Sequence, residues 1–321
     1  MNNKIYIIAP FLAIALFYAG NFVKFSVPAL DVEKLRAGSA NKLEEQIAPS
    51  KGVNLSVEWG NLGARMIEAG IIDAEKFENL YAGRGGLDDE MKKILYGTDN
   101  KDLIITRENS GFLLNVFWAL GLGNKNTILE KGPMRPAAEV EPKRVERPSQ
   151  QRTGIEGQRT AQRNGNIGTG TDRFASTGGW TMAQGNTMNH YSAHQFIKLT
   201  PEQQRLVEDV SKNIYRPCCN NPTHFPDCNH GMAMLGFLEL MASQNAGEEE
   251  MYRVALAVNS YWFPETYSAI AQFLQTKNFD WRKAEPKDLL GYNFSSASGY
   301  QQILSELKPV NQGGGGRSCG V

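Results

Sequence analysis

Tyr215-Arg216-Pro217-Cys218-Cys219-Asn220-Asn221-Pro222-Thr223-His224-Phe225-Pro226-Asp227-Cys228-Asn229-His230 is the stretch around which the chain is organised. Three of the four cysteines and two of the four histidines fall within thirteen residues, and the other two histidines, His190 and His194, stand just upstream. Soft and borderline metal ions want thiolate and imidazole at short spacing. The stretch reads as a metal or redox site.

On both sides of it the pattern is helical. Thr200-Pro201-Glu202-Gln203 has a Thr cap, Pro at the first helical position and Gln three residues after the cap. Leu206, Val207, Val210 and Ile214 then recur on one face, and Arg216-Pro217 stops the helix. After His230 comes Gly231-Met-Ala-Met-Leu-Gly-Phe-Leu-Glu-Leu-Met-Ala242, a core helix ended by Asn245-Ala246-Gly247. Glu248, Glu249 and Glu250 favour the positive start of the next helix. Pro264 opens another, and Tyr300 to Leu307 is amphipathic.

Residues 53–130 read as a second small helical body. Trp59, Leu62 and Met66 sit at helical spacing, Asp73 caps a helix carrying Phe77, Leu80 and Tyr81, and Leu87 to Tyr96 forms the next. Gly83-Arg-Gly-Gly86 is a helix-ending turn, since it has neither a phosphate-loop lysine nor a preceding strand. Leu103-Ile-Ile is short and β-branched, hence extended; Phe112 to Leu122 is an apolar helix. Trp59 and Trp118 read as core. No sustained alternation is apparent elsewhere.

Between these bodies, residues 135–178 are rich in Arg, Glu, Pro, Gly, Gln and Asn and nearly free of apolar residues, the composition of a disordered linker. At the N-terminus, Ile5 to Val23 is nineteen residues without a charge. As a helix it spans roughly 28 Å at about 1.5 Å per residue, close to the thickness of a bilayer core. No small-x-small cleavage signature stands out, so it reads as an uncleaved anchor with the bulk of the chain outside the cytoplasm. The Gly-rich tail reads as a floppy tether that lets Cys319 reach the cluster or another chain. Lys+Arg and Asp+Glu are both 34, which argues against a nucleic-acid binder.

Spacing within the loop decides what chemistry is open. Cys218 or Cys219 with His224, Cys228 and His230 makes a four-ligand set, and a helix start behind Cys228-x-His230 favours thiolate. Met232, Met234, Met182 and Met188 add thioether sulfur, which with thiolate suits Cu(I); imidazole with thiolate suits Zn(II). His190 and His194, at i and i+4, supply outer or second-site ligands if helical. No catalytic residue is identified. Two competing readings stay open: a thiol–disulfide redox protein using vicinal Cys218/Cys219, and a structural or adhesion protein of the envelope whose loop is stapled by a disulfide to Cys228.

Pro217-Cys218-Cys219 with His224, Cys228, His230-Gly231 and the Leu-rich helix resembles bacterial envelope proteins with a Pro-Cys-Tyr-Cys-Gly-Cys motif, taken to bind metal. The resemblance covers about thirty residues. Here the cysteines are adjacent and the Cys-Gly-Cys part is absent. The whole chain is similar to bacterial membrane-anchored envelope proteins. It implies metal binding and no catalytic residue.

The expectation is a mainly α protein: a membrane anchor (1–30), a helical domain (31–134), a disordered linker (135–178), a helical Cys/His-loop domain (179–308) and a Gly-rich tail (309–321). Its cofactor is a transition-metal ion, Cu or Zn. Its partners are the membrane, through the N-terminal helix, and a protein that exchanges metal or thiols.

Overall fold

The computed structural model describes residues 42–136 and 170–307. The expected anchor at 5–23, most of the linker and the Gly-rich tail with Cys319 lie outside the described residues. Among the described residues no helix is long and apolar enough to cross a membrane.

The fold is mainly helical, as expected, and it is assembled around two helices, α4 (Ser110–Gly123) and α7 (Asn229–Ser243). In α4 the residues Val116 to Gly123 are buried without a break, and in α7 so are Gly231 to Ala242. A helix that is apolar on every face has to be covered on every face, so both run through the middle of the molecule. They meet backbone to backbone at Gly121 and Gly236. A Cβ on Gly236 would stand 2.5 Å from the Gly121 nitrogen and 2.6 Å from the Phe117 carbonyl; one on Gly121 would collide with the Met232 carbonyl. Phe117 and Phe237 stack beside the crossing at 4.9 Å.

This crossing has a consequence for the domain reading. Residues 53–130 and 179–308, expected as separate bodies, share one hydrophobic core: Leu55, Phe77 and Phe117 are buried with Val207, Phe237 and Val254. All described residues fall in one unit spanning 40–321. The reason is the apolar girth of α4 and α7, which neither helix can bury alone. The expected linker also ends early. From residue 170 onward the chain is part of the fold, with Thr171, Ser176 and Thr177 buried and the Trp118 indole donating to the Ser176 carbonyl at 2.7 Å.

Around this pair lie α1 (Leu62–Glu68), α2 (Ala74–Ala82), α3 (Asp89–Tyr96) and α5 (Thr127–Lys131), then α6 (Pro201–Ser211), α8 (Glu248–Trp262), α9 (Pro264–Thr276), α10 (Pro286–Leu290), α11 (Tyr292–Ser295) and α12 (Ala297–Leu307). Several starts follow their sequence signals. Asp73 accepts from the Lys76 amide, and Thr200 and Gln203 form a complete capping box. The last four helices enclose a smaller core of Tyr267, Ile270, Leu274, Trp281 and Ile303, into which Leu43 and Ile47 of the helical turn at 42–47 are also packed. That turn is therefore part of the fold.

One element was misread from sequence. Val53–Gly60 is a strand, β1, paired antiparallel with β2 (Asn100–Ile105). Leu55, Val57 and Trp59 point inward while Asn54, Ser56 and Glu58 face solvent, an alternation of period two. Trp59 and Leu62 also fit a helical spacing, which masked it. Ser56 at φ 55° marks a bulge between the Asn54 and Glu58 pairs.

A buried carboxylate fastens the end of α4 to α7. Glu239 is fully buried and accepts hydrogen bonds at 2.6 Å from the side-chain amides of both Asn124 and Asn126. Asn124 in turn accepts from the Ile197 amide. Burial pushes Glu239 up to about 8 from its ordinary 4.5, the two amides opposing. The folded state thus binds more protons than the unfolded state between those values, and stability falls as pH rises through that window, by at most about 1.4 kcal/mol per pH unit. Urea unfolding between pH 5 and 8 should show this slope in wild-type protein and lose it in Glu239→Gln. In the same assay Gly236→Ala should lose roughly 1–3 kcal/mol by forcing the central helices apart.

Candidate metal centre

The Cys/His stretch is an irregular loop between α6 and α7, and Cys228 is the cap of α7, its sulfur accepting from the Gly231 amide at 3.4 Å. Three prolines, Pro217, Pro222 and Pro226, and a set of hydrogen bonds to the surrounding chain fix the loop. Tyr215 donates to the Leu290 carbonyl, Ala297 donates to the Cys219 carbonyl, Ser176 to the Asp227 carbonyl, and Thr223 to the Ile214 carbonyl. The Ser298 amide donates to the Asn220 side chain.

At the centre is Arg216, only 1% exposed. Its guanidinium makes four hydrogen bonds inside the loop: Nε to the Cys228 sulfur at 2.9 Å, Nη1 to the Asn221 carbonyl at 2.9 Å, and Nη2 to the Phe225 carbonyl at 3.1 Å and the Asp227 carboxylate at 2.8 Å. Asn221 completes the arrangement by donating to the other Asp227 oxygen at 2.7 Å. A planar fork of five donors is what allows one residue to hold so many loop acceptors. Room for it comes from Gly231, where a Cβ would stand 2.5 Å from the guanidinium carbon.

The donor atoms then converge. Ligand atoms of Cys218, Cys228 and His230 all lie within 4.8 Å of one another, and so do those of Cys219, Asp227 and Cys228. The sulfurs of Cys218 and Cys228 are 3.4 Å apart, and the three cysteines are free thiols, each partly exposed. The Cys228 thiol is held well below its ordinary value by hydrogen bonds from Cys218 and Cys219, with the Arg216 cation and His230 adding to the effect. The Cys218 thiol is pushed up by its hydrogen bonds with Cys219 and Cys228 and by burial. The two shifts run in opposite directions, and the Arg216 cation lies on the Cys228 side. The His230 ring stacks on Phe263 at 4.5 Å and meets the edge of Trp262 at 5.8 Å, both at the α8–α9 junction. Its Nδ1 is buried without a hydrogen-bond partner among the described residues. A buried polar atom in that condition is costly, and a metal ion is one species that satisfies an imidazole nitrogen.

The structure sorts the seven residues expected to bind metal. Cys218, Cys228 and His230 come together, and Cys219 stands on the Asp227 side of Cys228 with its sulfur 3.8 Å from that carboxylate. His224 belongs to neither cluster: its amide donates to the Ser211 carbonyl and its Nδ1 lies 3.4 Å from the Ser211 hydroxyl. His190 and His194 form a pair of their own, Nδ1 to Nε2 at 2.9 Å, with His190 Nε2 at 3.0 Å from the Gln184 carbonyl. They are brought together by a turn with Ser192 at φ 50° rather than by a helix. The thioethers of Met232 and Met234 are core residues. Sequence reasoning missed Arg216, taken only as a helix stop, and did not count Asp227 among the ligands. The signal available was Gly231, placed directly after the last ligand.

Protein-family models, curated proteins and solved structures were each searched for relatives of the chain, and none matches.

Gly231→Ala should push the guanidinium off the helix start. Urea unfolding should show a loss of about 1–3 kcal/mol. With its cationic donor displaced, Cys228 should alkylate more slowly with iodoacetamide at neutral pH. Wild-type stability together with a wild-type alkylation rate would show that Arg216 is not held by this contact.

Proposed function

We propose that the chain binds a thiophilic transition-metal ion, Zn(II) or Cu(I), through Cys218, Cys228 and His230, and that it stores, delivers or senses that ion. The observation that carries this reading is the convergence of two sulfurs and an imidazole on one point, with the thiols free and the loop already braced before any ion arrives. In a tetrahedral site with metal–sulfur bonds of about 2.3 Å, two ligand sulfurs stand roughly 3.8 Å apart. The 3.4 Å between Cys218 and Cys228 needs only a small side-chain movement to reach that. Cys219 is the next donor in reach, since its sulfur lies within 4.8 Å of Cys228.

The charge arrangement supports the same reading. A thiolate ligand must be deprotonated to bind metal, and Arg216 stabilises the Cys228 thiolate before binding. The Arg216 charge is itself matched by Asp227 at 2.8 Å, so the loop does not present an unpaired cation to the ion. The apolar stretch at 5–23 would tether this domain to a membrane with its bulk outside the cytoplasm, where a protein that exchanges metal or thiols would meet the partly exposed sulfurs. Partial exposure suits delivery or sensing better than permanent structural burial.

Reduced protein titrated with Zn(II) and with Cu(I) under anaerobic conditions should bind one ion tightly. Cys218→Ser, Cys228→Ser and His230→Ala should each weaken binding at least tenfold. His224→Ala and the double variant His190→Ala/His194→Ala should leave affinity unchanged. Absence of stoichiometric binding by the reduced protein would remove the proposal.

A further inference from the structure

We propose that Cys218 and Cys228 form a reversible disulfide, and that closing it abolishes the ion site. The inference rests on the metal-binding reading for its second half, but not for its first. Among the three loop thiols the structure selects one pair. Cys218 and Cys228 have their sulfurs 3.4 Å apart, in direct contact, whereas the Cys219 sulfur is directed to the Asn221 carbonyl and the Asp227 carboxylate, each at 3.8 Å. A disulfide bond is about 2.05 Å long, with Cβ atoms about 3.8 Å apart. The sulfurs need approach by little more than 1 Å. Adjacent Cys218 and Cys219, the pair that the sequence suggests for redox chemistry, would have to close a strained ring instead.

The loop is also built to tolerate the bond. Arg216 holds the chain at Asn221, Phe225 and Asp227, Ala297 holds it at Cys219, and Cys228 is anchored as the cap of α7. The chain is thus held on both sides of the pair, and neither residue is fully buried. Such preorganisation favours an intramolecular partner over an external one.

The oxidant needed is a low-molecular-weight disulfide, RSSR. The Cys228 sulfur, 2.9 Å from Arg216 Nε, loses its proton to solvent and attacks one sulfur of RSSR. A Cys228–S–S–R mixed disulfide forms and RS⁻ leaves. Cys218, losing its proton, then attacks the Cys228 sulfur and the second RS⁻ leaves. The protein gives up two electrons and two protons, and RSSR becomes two RSH. In the product both sulfurs that would bind the ion are consumed, leaving His230 with Cys219 as the one remaining loop thiol. The site would hold its ion when reduced and release it when oxidised, which couples metal delivery to the thiol balance of the surroundings.

The full chain, equilibrated with oxidised and reduced glutathione at varied ratios, is quenched with iodoacetamide and mapped by peptide mass spectrometry. The expected product is a Cys218–Cys228 cross-link with Cys219 alkylated, reversed by dithiothreitol. Cys219→Ser should still form it and Cys218→Ser should not. Zn(II) titration of the reduced and oxidised forms should show at least a tenfold weaker affinity after oxidation. Both thiols alkylated at every ratio, or Cys219 in the cross-link, would overturn the pairing while leaving metal binding by the reduced form intact. A correct cross-link in a protein that binds Zn(II) equally well in both forms would overturn the coupling. A correct cross-link in a protein that never binds Zn(II) would sink the metal reading and the coupling with it, and leave the redox pair standing.

Discussion

The guanidinium of Arg216 is the group on which the Cys/His loop depends. A charge buried in the interior is tolerated only when it is paired and its hydrogen-bonding positions are filled. Here the fillers are the loop itself: two carbonyls, one carboxylate and one sulfur. The dependence runs both ways. The loop has no regular secondary structure to satisfy its carbonyls, and the arginine would be intolerable without them. A stretch that offers cysteine thiolate to an ion must hold it in place against repulsion from neighbouring sulfur, and a fixed cation beside it does so.

That arginine can occupy its place only because the central helices are arranged as they are. The cap of α7 is Cys228, the next turn begins with His230, and Gly231 leaves the space above the helix start open. Lower down, the same helix meets α4 at Gly236 and is tied to its end by Glu239. A single element therefore carries two of the three converging donors at one end, the deepest core contact in the middle and a buried carboxylate below. Movement of α7 would be felt at all three. The orientation of His230 is set from a different direction, by Phe263 and Trp262 at the junction of the next two helices.

A metal site and a disulfide ask for much the same geometry, and the approach of Cys218 and Cys228 is compatible with either. Close sulfurs, a thiolate stabilised before the partner arrives and a braced backbone serve either outcome. The difference lies in the electrons, which belong to the surroundings rather than to the fold. The His190/His194 pair shows the contrast. Its nitrogens are as close as ligands would be, but no thiol or carboxylate joins them in a donor cluster among the described residues.

The sequence by itself determined that the chain is mainly helical, where the helices at Thr200, Glu248 and Pro264 begin, and that Cys218, Cys228 and His230 belong to one short stretch. Caps, prolines and apolar periodicity are local physics, and local physics is written in adjacent residues. It could not determine that residues 53–130 and 179–308 share a core, because the Gly121–Gly236 contact joins positions far apart in the chain and a lone glycine in a helix looks like a weakness until its partner is known. It hid β1, whose Trp59 lies at helical spacing from Leu62 and Met66 of α1 as well as at period two from Val57. Only the tertiary structure decided that the Cys218 and Cys228 sulfurs meet, sent His224 to Ser211, and turned an apparent helix stop, Arg216, into the centre of the loop. Those outcomes depend on direction and burial, which arise when distant elements pack.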